Sequence, residues 1–262
     1  MTSGPVGIIT GGLSGIGAAC ALEFAGLGGR MALTDVSLEG AEVLLELVER
    51  AGGEALSVLA DVREPRSHES VVQHVLEKWG RIDFVVSNAG IAEQTRIATG
   101  DPELWRAVAE TNLLGTIYTV HTVLPTMLDQ GCGHVFIMSS TSGRESYVGE
   151  PVYVASKWGL VGFAHALRLE LQDAGIRVTC VEPGIVDTPL TRDNPKVQPL
   201  LDACEPLTPD DVARVVVFAY LQPQRVAISE IVIRPQRDPP PHLGAAGGAS
   251  APDISGSAGP NR

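Results

Sequence analysis

Apolar positions along this chain follow two alternating patterns. Short, near-continuous apolar runs occur at 5–10 (PVGIIT), 30–35 (RMALTD), 54–61 (EALSVLAD), 81–88 (RIDFVVSN), 133–140 (GHVFIMSS), 176–183 (IRVTCVEP) and 226–233 (VAISEIVI). Runs of this kind suit strands buried on both faces of a parallel sheet. Between them the period lengthens to that of a helix. Val72, Val75, Leu76 and Trp79 keep the i, i+3, i+4, i+7 spacing within 67–80, and Ala41, Leu44, Leu45 and Val48 keep it within 37–53. In the second of these, Ser37 is placed to cap the start and Gly52 to stop the end. Further helices are expected after the first strand, over 103–129 with Pro125 in the last turns, over 150–174 and over 209–221. Strands alternating with helices predict βαβ crossovers. The fold class is therefore α/β, a doubly wound sheet of about seven mostly parallel strands with helices on both faces. Residues 1–234 read as one domain. Beyond Arg234 the composition turns to Pro, Gly, Ala and Ser, and 235–262 is expected to be a disordered tail, because it cannot bury enough apolar area to offset its ordering entropy.

Composition narrows the classes of function. With 262 residues and 44% hydrophobic positions the chain can build a sizeable core. A net charge of -12 argues against nucleic acid as a partner, since phosphate contacts need a basic patch. No run approaches 18 consecutive apolar residues and the first residues lack a basic, then apolar, leader, so no membrane partner and a cytoplasmic location are expected. The four cysteines, Cys20, Cys132, Cys180 and Cys204, form no C-x-x-C pair and read as reduced, packed thiols. The six histidines show no ligand spacing, so no metal site is expected.

The chemistry begins at TGGLSGIG, Thr10 to Gly17, which follows the first apolar run and opens the first helix. Gly11, Gly15 and Gly17 allow the tight turn and close backbone approach that a pyrophosphate needs, with Ser14 and Ile16 between them. The helix start then offers free N–H groups and partial positive charge. An ordinary glycine-rich turn is the plain alternative, but the strand–turn–helix context is the one that favours a dinucleotide. Asp35 ends the second strand where a carboxylate meets the adenosine ribose hydroxyls; its charge would repel a 2′-phosphate, and none of Leu13, Ser14 and Val36 supplies a compensating cation. NAD is therefore expected over NADP. The alternative for Asp35 is a cap on the next helix.

A second feature is YVASK, Tyr153 to Lys157. Residues i and i+4 share a helix face, so the phenol and the ammonium converge. Taken alone the pattern is short, and a Tyr and a Lys bordering a surface would also fit it.

Together, the glycine turn, Asp35 and YVASK resemble the short-chain dehydrogenase/reductase family in its compact, single-domain, Rossmann-type branch, over roughly 5–234. The resemblance implies further roles. Asp61 and Val62 would hold the adenine ring, Asn88, Ala89 and Gly90 form the family's structural motif, and Asn112 and Ser140 match its catalytic asparagine and serine. Pro183, Gly184, Ile185, Val186 and Thr188 match the loop that grips the nicotinamide carboxamide, while Thr188 could equally cap a helix. Two departures are visible: SNAG replaces the frequent NNAG, and ISEIVIRPQR lacks the family's glycine-rich finish. A homo-oligomer, tetramer or dimer, formed through the helices at 103–129 and 150–174, is implied by the resemblance alone.

The implied reaction is hydride exchange between NAD(H) and a small secondary alcohol or ketone, with Tyr153 as general acid/base. Removing a hydride from an alcohol also requires losing its hydroxyl proton, so a base must stand within hydrogen-bond reach. Bringing a phenol from about 10 to about 7 takes roughly 4 kcal/mol of preference for the phenolate, and Lys157 has the sign for that. On the resemblance, Tyr153 and Lys157 also contact the cofactor, Lys157 at the nicotinamide ribose. Ser140 would orient the substrate oxygen, and Asn112 would hold a relaying water, although an asparagine in mid-helix can also bond only to nearby backbone. Substrate contacts are expected from the segment after Ser140 and from 188–207, with Glu93 and Arg144 as polar candidates on the rim. A dinucleotide-binding sensor or scaffold without chemistry is the rival reading. An enoyl reductase fits less well, because those relatives space Tyr and Lys further apart, and a nucleotide-sugar epimerase would resemble a longer chain.

Overall fold

The computed structural model describes residues 4–237. The expected tail from 238 onward lies outside them. All seven apolar runs form strands: β1 (Val6–Thr10), β2 (Arg30–Asp35), β3 (Glu54–Leu59), β4 (Phe84–Ser87), β5 (Gly133–Met138), β6 (Ile176–Pro183) and β7 (Glu230–Ile233). They make one sheet in the order β3-β2-β1-β4-β5-β6-β7, and every neighbouring pair is parallel. β1, β4, β5 and β6 are buried along their whole length, which is why they read as continuous apolar runs, whereas β3 at the edge is only partly buried. The strand order reverses between β1 and β4. The carboxyl ends of those two strands flank the crevice in which an open α/β sheet binds its ligand.

Helices cover both faces. On one side α1 (Gly15–Ala25), α2 (Ala41–Arg50) and α9 (Pro209–Tyr220) bury Phe24, Leu44 and Val216 against the sheet. There Phe24 stacks on Phe84 of β4 with ring centroids 3.8 Å apart. On the other side α3 (Pro65–Trp79), α5 (Gly115–Gln130) and α6 (Pro151–Leu171) contribute Val75, Val123 and Leu167. Three short elements complete the helical set: α4 (Pro102–Val108), α7 (Pro189–Arg192) and α8 (Gln198–Ala203).

Two expectations change. Ser37 does not cap α2; Gly40, left-handed at φ 75°, stands at the cap, and the Ser37 hydroxyl accepts from the Glu39 N–H instead. The loop thus turns once more before the helix begins, a turn that glycine permits. The helix expected over 103–129 runs unbroken from Pro102 to Gln130, but between α4 and α5 it widens to a π-helical segment at Ala109–Leu114, which holds Asn112. Gly52 does follow the end of α2, at φ 96°. Among the described residues no helix is long and apolar enough to cross a membrane.

Candidate active site

The glycine turn leaves β1 at Thr10 and enters α1 at Gly15. Gly11 and Gly15 take positive φ, 58° and 50°, so a side chain at either would be strained. Gly17 serves packing: a Cβ there would sit 2.1 Å from the Gly11 carbonyl oxygen. The turn is held from the other side of the switch point. Thr10 Oγ1 accepts the Asn88 and Ala89 N–H groups, and Asn88 Nδ2 donates to the carbonyls of Thr10 and Gly11 at 3.0 and 3.1 Å. Asn88 is thus a brace of the glycine turn. Ser14 caps α1 without a side-chain bond, and the first turn of α1 carries no acid. Its partial positive charge is therefore left for an anion.

A cavity of about 420 Å³ opens above this turn. Gly11, Ser14, Gly15 and Ile16 line its floor, and Asp35, Asp61 and Val62 line one end. Asn88, Ala89 and Gly90 line the opposite side, with Thr188 over the top. Among the residues expected to contact cofactor, Gly17, Tyr153, Lys157, Pro183, Gly184, Ile185 and Val186 do not line it. Residues 183–186 form the loop's base: the Gly184 N–H donates to the Ile233 carbonyl, and Val186 pairs with Leu207. Thr188 lines the cavity and also caps α7, its N–H donating to Thr191 Oγ1 at 2.9 Å.

The Asp35 end holds one cation that the sequence reading passed over. Arg63 lines the cavity, but its guanidinium is gripped by Asp61, Nε to Oδ1 at 3.0 Å and Nη2 to Oδ2 at 2.6 Å. The same contact holds the Asp61 carboxyl below its ordinary range. The available signal was Arg63 itself, directly after the Asp61–Val62 pair.

At the other end, Gly90 marks where the catalytic candidates meet the cavity. A Cβ on Gly90 would lie 3.3 Å from Asn112 Oδ1 and 3.8 Å from Lys157 Nζ. Asn112 is fully buried, and its amide brackets one backbone unit: Oδ1 accepts the Ile91 N–H at 2.9 Å, and Nδ2 donates to the Ile91 carbonyl at 3.0 Å. Nδ2 also donates to Ser156 Oγ, which in turn donates to the Tyr153 carbonyl at 2.7 Å. Asn112 therefore fastens the Gly90–Ile91 wall to α6. Ser156, the fourth letter of YVASK, is part of this fastening and was not singled out from the sequence.

Lys157 is 5% exposed, and its ammonium donates to the Met138 carbonyl at 3.0 Å, with Nζ 5.5 Å from the centre of the Tyr153 ring. Ser139 and Ser140 diverge as strand geometry requires: Ser139 Oγ donates to the Lys157 carbonyl, while Ser140 Oγ donates to the Pro183 carbonyl and faces the Tyr153 phenol, whose ionised form it favours. Ser140 also caps the 3₁₀ turn Thr141–Gly143. Ser140, Tyr153, Lys157 and Asn112 thus come together, behind the Gly90 wall and outside the cavity's own lining.

The electrostatics differ from the expectation. Burial pushes the Tyr153 phenol up to about 12; the Ser140 hydroxyl opposes this and the Glu150 carboxylate adds to it. Burial pushes Lys157 down to about 8. In the protein alone the lysine therefore does not bring the phenol toward neutrality. For both groups desolvation is the leading cause, and it favours the neutral form.

The polar rim candidates separate. Arg144 turns away from the cleft to Glu182 and Glu230. Glu93 Oε1 is buried without a hydrogen-bond partner. Gln94, its neighbour, donates from its side chain to Glu150 and accepts from the Lys196 ammonium at its carbonyl. The segments 91–94, 150–153 and 189–203 are thereby linked around Tyr153.

Comparison with known proteins agrees with this geometry. A family model described as short chain dehydrogenase matches residues 5–198. An uncharacterised oxidoreductase of Staphylococcus saprophyticus is 35% identical over 231 residues, 88% of this chain and 97% of that one. Among solved structures, a metagenomic short-chain oxidoreductase in complex with NADP aligns with a TM-score of 0.78 at 31% identity, covering 90% of this chain and 99% of that chain. An alcohol dehydrogenase from Thermococcus sibiricus, complexed with 5-hydroxy-NADP, aligns with a TM-score of 0.81 at 29% identity, covering 90% and 98%.

Proposed function

The chain belongs to the short-chain dehydrogenase family and is an oxidoreductase using a nicotinamide dinucleotide, and from that premise we propose that it interconverts a secondary alcohol and a ketone with NAD(H), Tyr153 acting as the acid and base. The observation that carries this reading is the meeting of the Ser140 hydroxyl, the Tyr153 phenol and the Lys157 ammonium beside Gly90.

The residues present fit the cofactor. Gly11 and Gly15 leave the backbone bare where a pyrophosphate would lie, and the acid-free start of α1 offers N–H groups to it. When bound, the dinucleotide supplies the hydride exchange and, in its oxidised form, a positive ring charge near the phenol. The protein's own part is to hold the carbonyl oxygen and move one proton. Ser140 Oγ and Tyr153 Oη, which face each other, are the donors that would receive that oxygen. A phenol held protonated by burial is a ready acid for the reduction direction. Lys157 would bind the nicotinamide ribose and favour the phenolate once its own charge is retained. Asn112 fixes the Gly90–Ile91 wall against which these groups act.

Asp35 supports NAD over NADP. It lines the cavity, and the fork of the nearby Arg63 is already taken by Asp61. A 2′-phosphate there would face the Asp35 carboxylate and a cation already held by Asp61. Oxidation of NADH and of NADPH, followed by absorbance against a panel of ketones, tests the whole reading. Turnover should favour NADH and vanish in Tyr153→Phe; wild-type turnover in that variant would refute the role of the phenol.

A further inference from the structure

Behind the cleft lies an ion cluster that the reaction as described does not use. Glu182, the residue before Pro183, is wholly buried in β6. Its partner is Arg144, four residues beyond Ser140, which donates from Nε to Glu182 Oε2 at 2.6 Å and from Nη2 to Oε1 at 2.9 Å. Arg144 Nη2 also bonds Glu230 at the start of β7, and the second oxygen of Glu230 meets His165 Nε2 on α6. Both sides of the pair run straight into the proposed site. Ser140 caps the 3₁₀ turn that leads to Arg144, and Pro183 follows Glu182 and opens the loop ending at Thr188. These two strand ends touch directly as well, through Ser140 Oγ and the Pro183 carbonyl at 3.4 Å.

We propose that Arg144 is a positioning residue for the reaction, its two-pronged grip on buried Glu182 setting Ser140 and the Pro183 loop at their working separation. This rests on the reading of Ser140 and Tyr153 given above. A carboxylate removed from water must be paired, and the planar guanidinium satisfies both of its oxygens in one orientation only. That orientation fixes the chain on either side. The 3.4 Å contact alone is too long to do so. A lysine at 144 keeps the charge, so Glu182 is not left unpaired, but it lacks the planar fork. Misplacement of a reacting group by about 1 Å is enough to cost on the order of 100-fold in rate.

The experiment compares wild type, Arg144→Lys and the apolar pair Arg144→Met with Glu182→Met, which removes both charges together and so keeps the fold. The turnover number is expressed per active site, counted by titration with NADH fluorescence, using the best ketone from the panel. Both variants should lose about 10- to 100-fold in turnover per site, with NADH affinity within about 2-fold of wild type, because the glycine turn that grips the cofactor is untouched. A merely structural pair would lower the melting temperature and the fraction of active sites but leave turnover per site unchanged, and that result would overturn the proposal. Loss of NADH affinity with turnover per site intact would overturn it too. Tyr153→Phe, run in parallel, separates the two readings: if it is active, the proposed function itself has failed, whereas if it is inactive and the Arg144 variants turn over normally, only the positioning role has.

Discussion

At the Asp35 end of the cleft, charge is displayed and paired at the surface: the Arg63 and Asp61 side chains are 45% and 28% exposed and grip each other directly. At the Gly90 end, Lys157 is buried with the Met138 carbonyl as its hydrogen-bond acceptor, and Tyr153 rises to about 12. The first end works by Coulomb attraction and repulsion that water and salt screen. The second works by withholding water, so each group is pushed toward its neutral form. Recognition of the cofactor's charge and control of a proton thus rest on different physics, in the same cleft, on opposite sides of the switch between β1 and β4. Changes at the two ends should therefore differ in size and in what they alter.

The largest effect belongs to the buried end. Tyr153→Phe removes the acid while leaving the ring in place, and turnover should fall by about 100- to 10,000-fold, with NADH affinity measured by fluorescence within about 2-fold of wild type. Next comes Lys157. Its pKa of about 8 in the folded protein lies below the 10.5 of a free lysine, so between these values the unfolded chain binds more protons, and stability rises with pH. Denaturation of wild type and Lys157→Met at pH 8 and pH 10 should show wild type gaining about 2–3 kcal/mol relative to the variant. Tyr153 opposes this only above about 10, where the unfolded phenol begins to ionise. A flat difference across that window would mean that Lys157 is not desolvated as described.

At the exposed end the effect should be smaller and should sort the two cofactors. Asp35→Asn removes a carboxylate that would face a 2′-phosphate, and a penalty of about 1 kcal/mol for such a pair near water corresponds to a shift of roughly 5- to 10-fold toward NADPH. Raising the salt should shrink the preference in wild type as well. Unchanged preference at every ionic strength would remove Asp35 from cofactor choice.

The same contrast explains what could be read in advance. The strands were legible because burial on both faces writes continuous apolar runs, and the glycine turn because Gly11 and Gly15 need backbone shapes that other residues avoid. The π-helical segment at Ala109–Leu114 left no mark in the periodicity, since six positions are too few to display a period of their own between two α-helical stretches. Arg144 read as a solvated rim charge because its partner, Glu182, is 38 residues away in the chain. Nothing local announces a long-range ion pair. The direction of the Tyr153 shift was misjudged for a related reason: the Tyr–Lys spacing reveals proximity, but the depth of burial that outweighs it is a property of the whole fold.

The smallest predicted effect tests whether desolvation alone governs the buried end. Glu150 precedes Pro151, the first residue of α6, three residues before Tyr153, and its own carboxyl is raised by burial and partly restored by the Gln94 amide. Two other influences bear on the phenol: the Ser140 hydroxyl, which lowers it, and burial, which raises it. Glu150 is the one group with a negative charge among these, and a negative charge disfavours the phenolate. Ketone reduction needs the protonated phenol, so its rate falls as pH rises through the phenol's pKa. Glu150→Gln keeps a partner for Gln94 and removes the charge, so the alkaline limb of the turnover profile should move to lower pH while the plateau is unchanged. The shift should persist at high salt, because the pair is shielded from solvent. A limb that stays in place would leave burial as the sole cause of the raised phenol, and a limb that moves upward would mean that the side chain acts through Gln94 and the geometry of the 91–94 segment rather than through its charge.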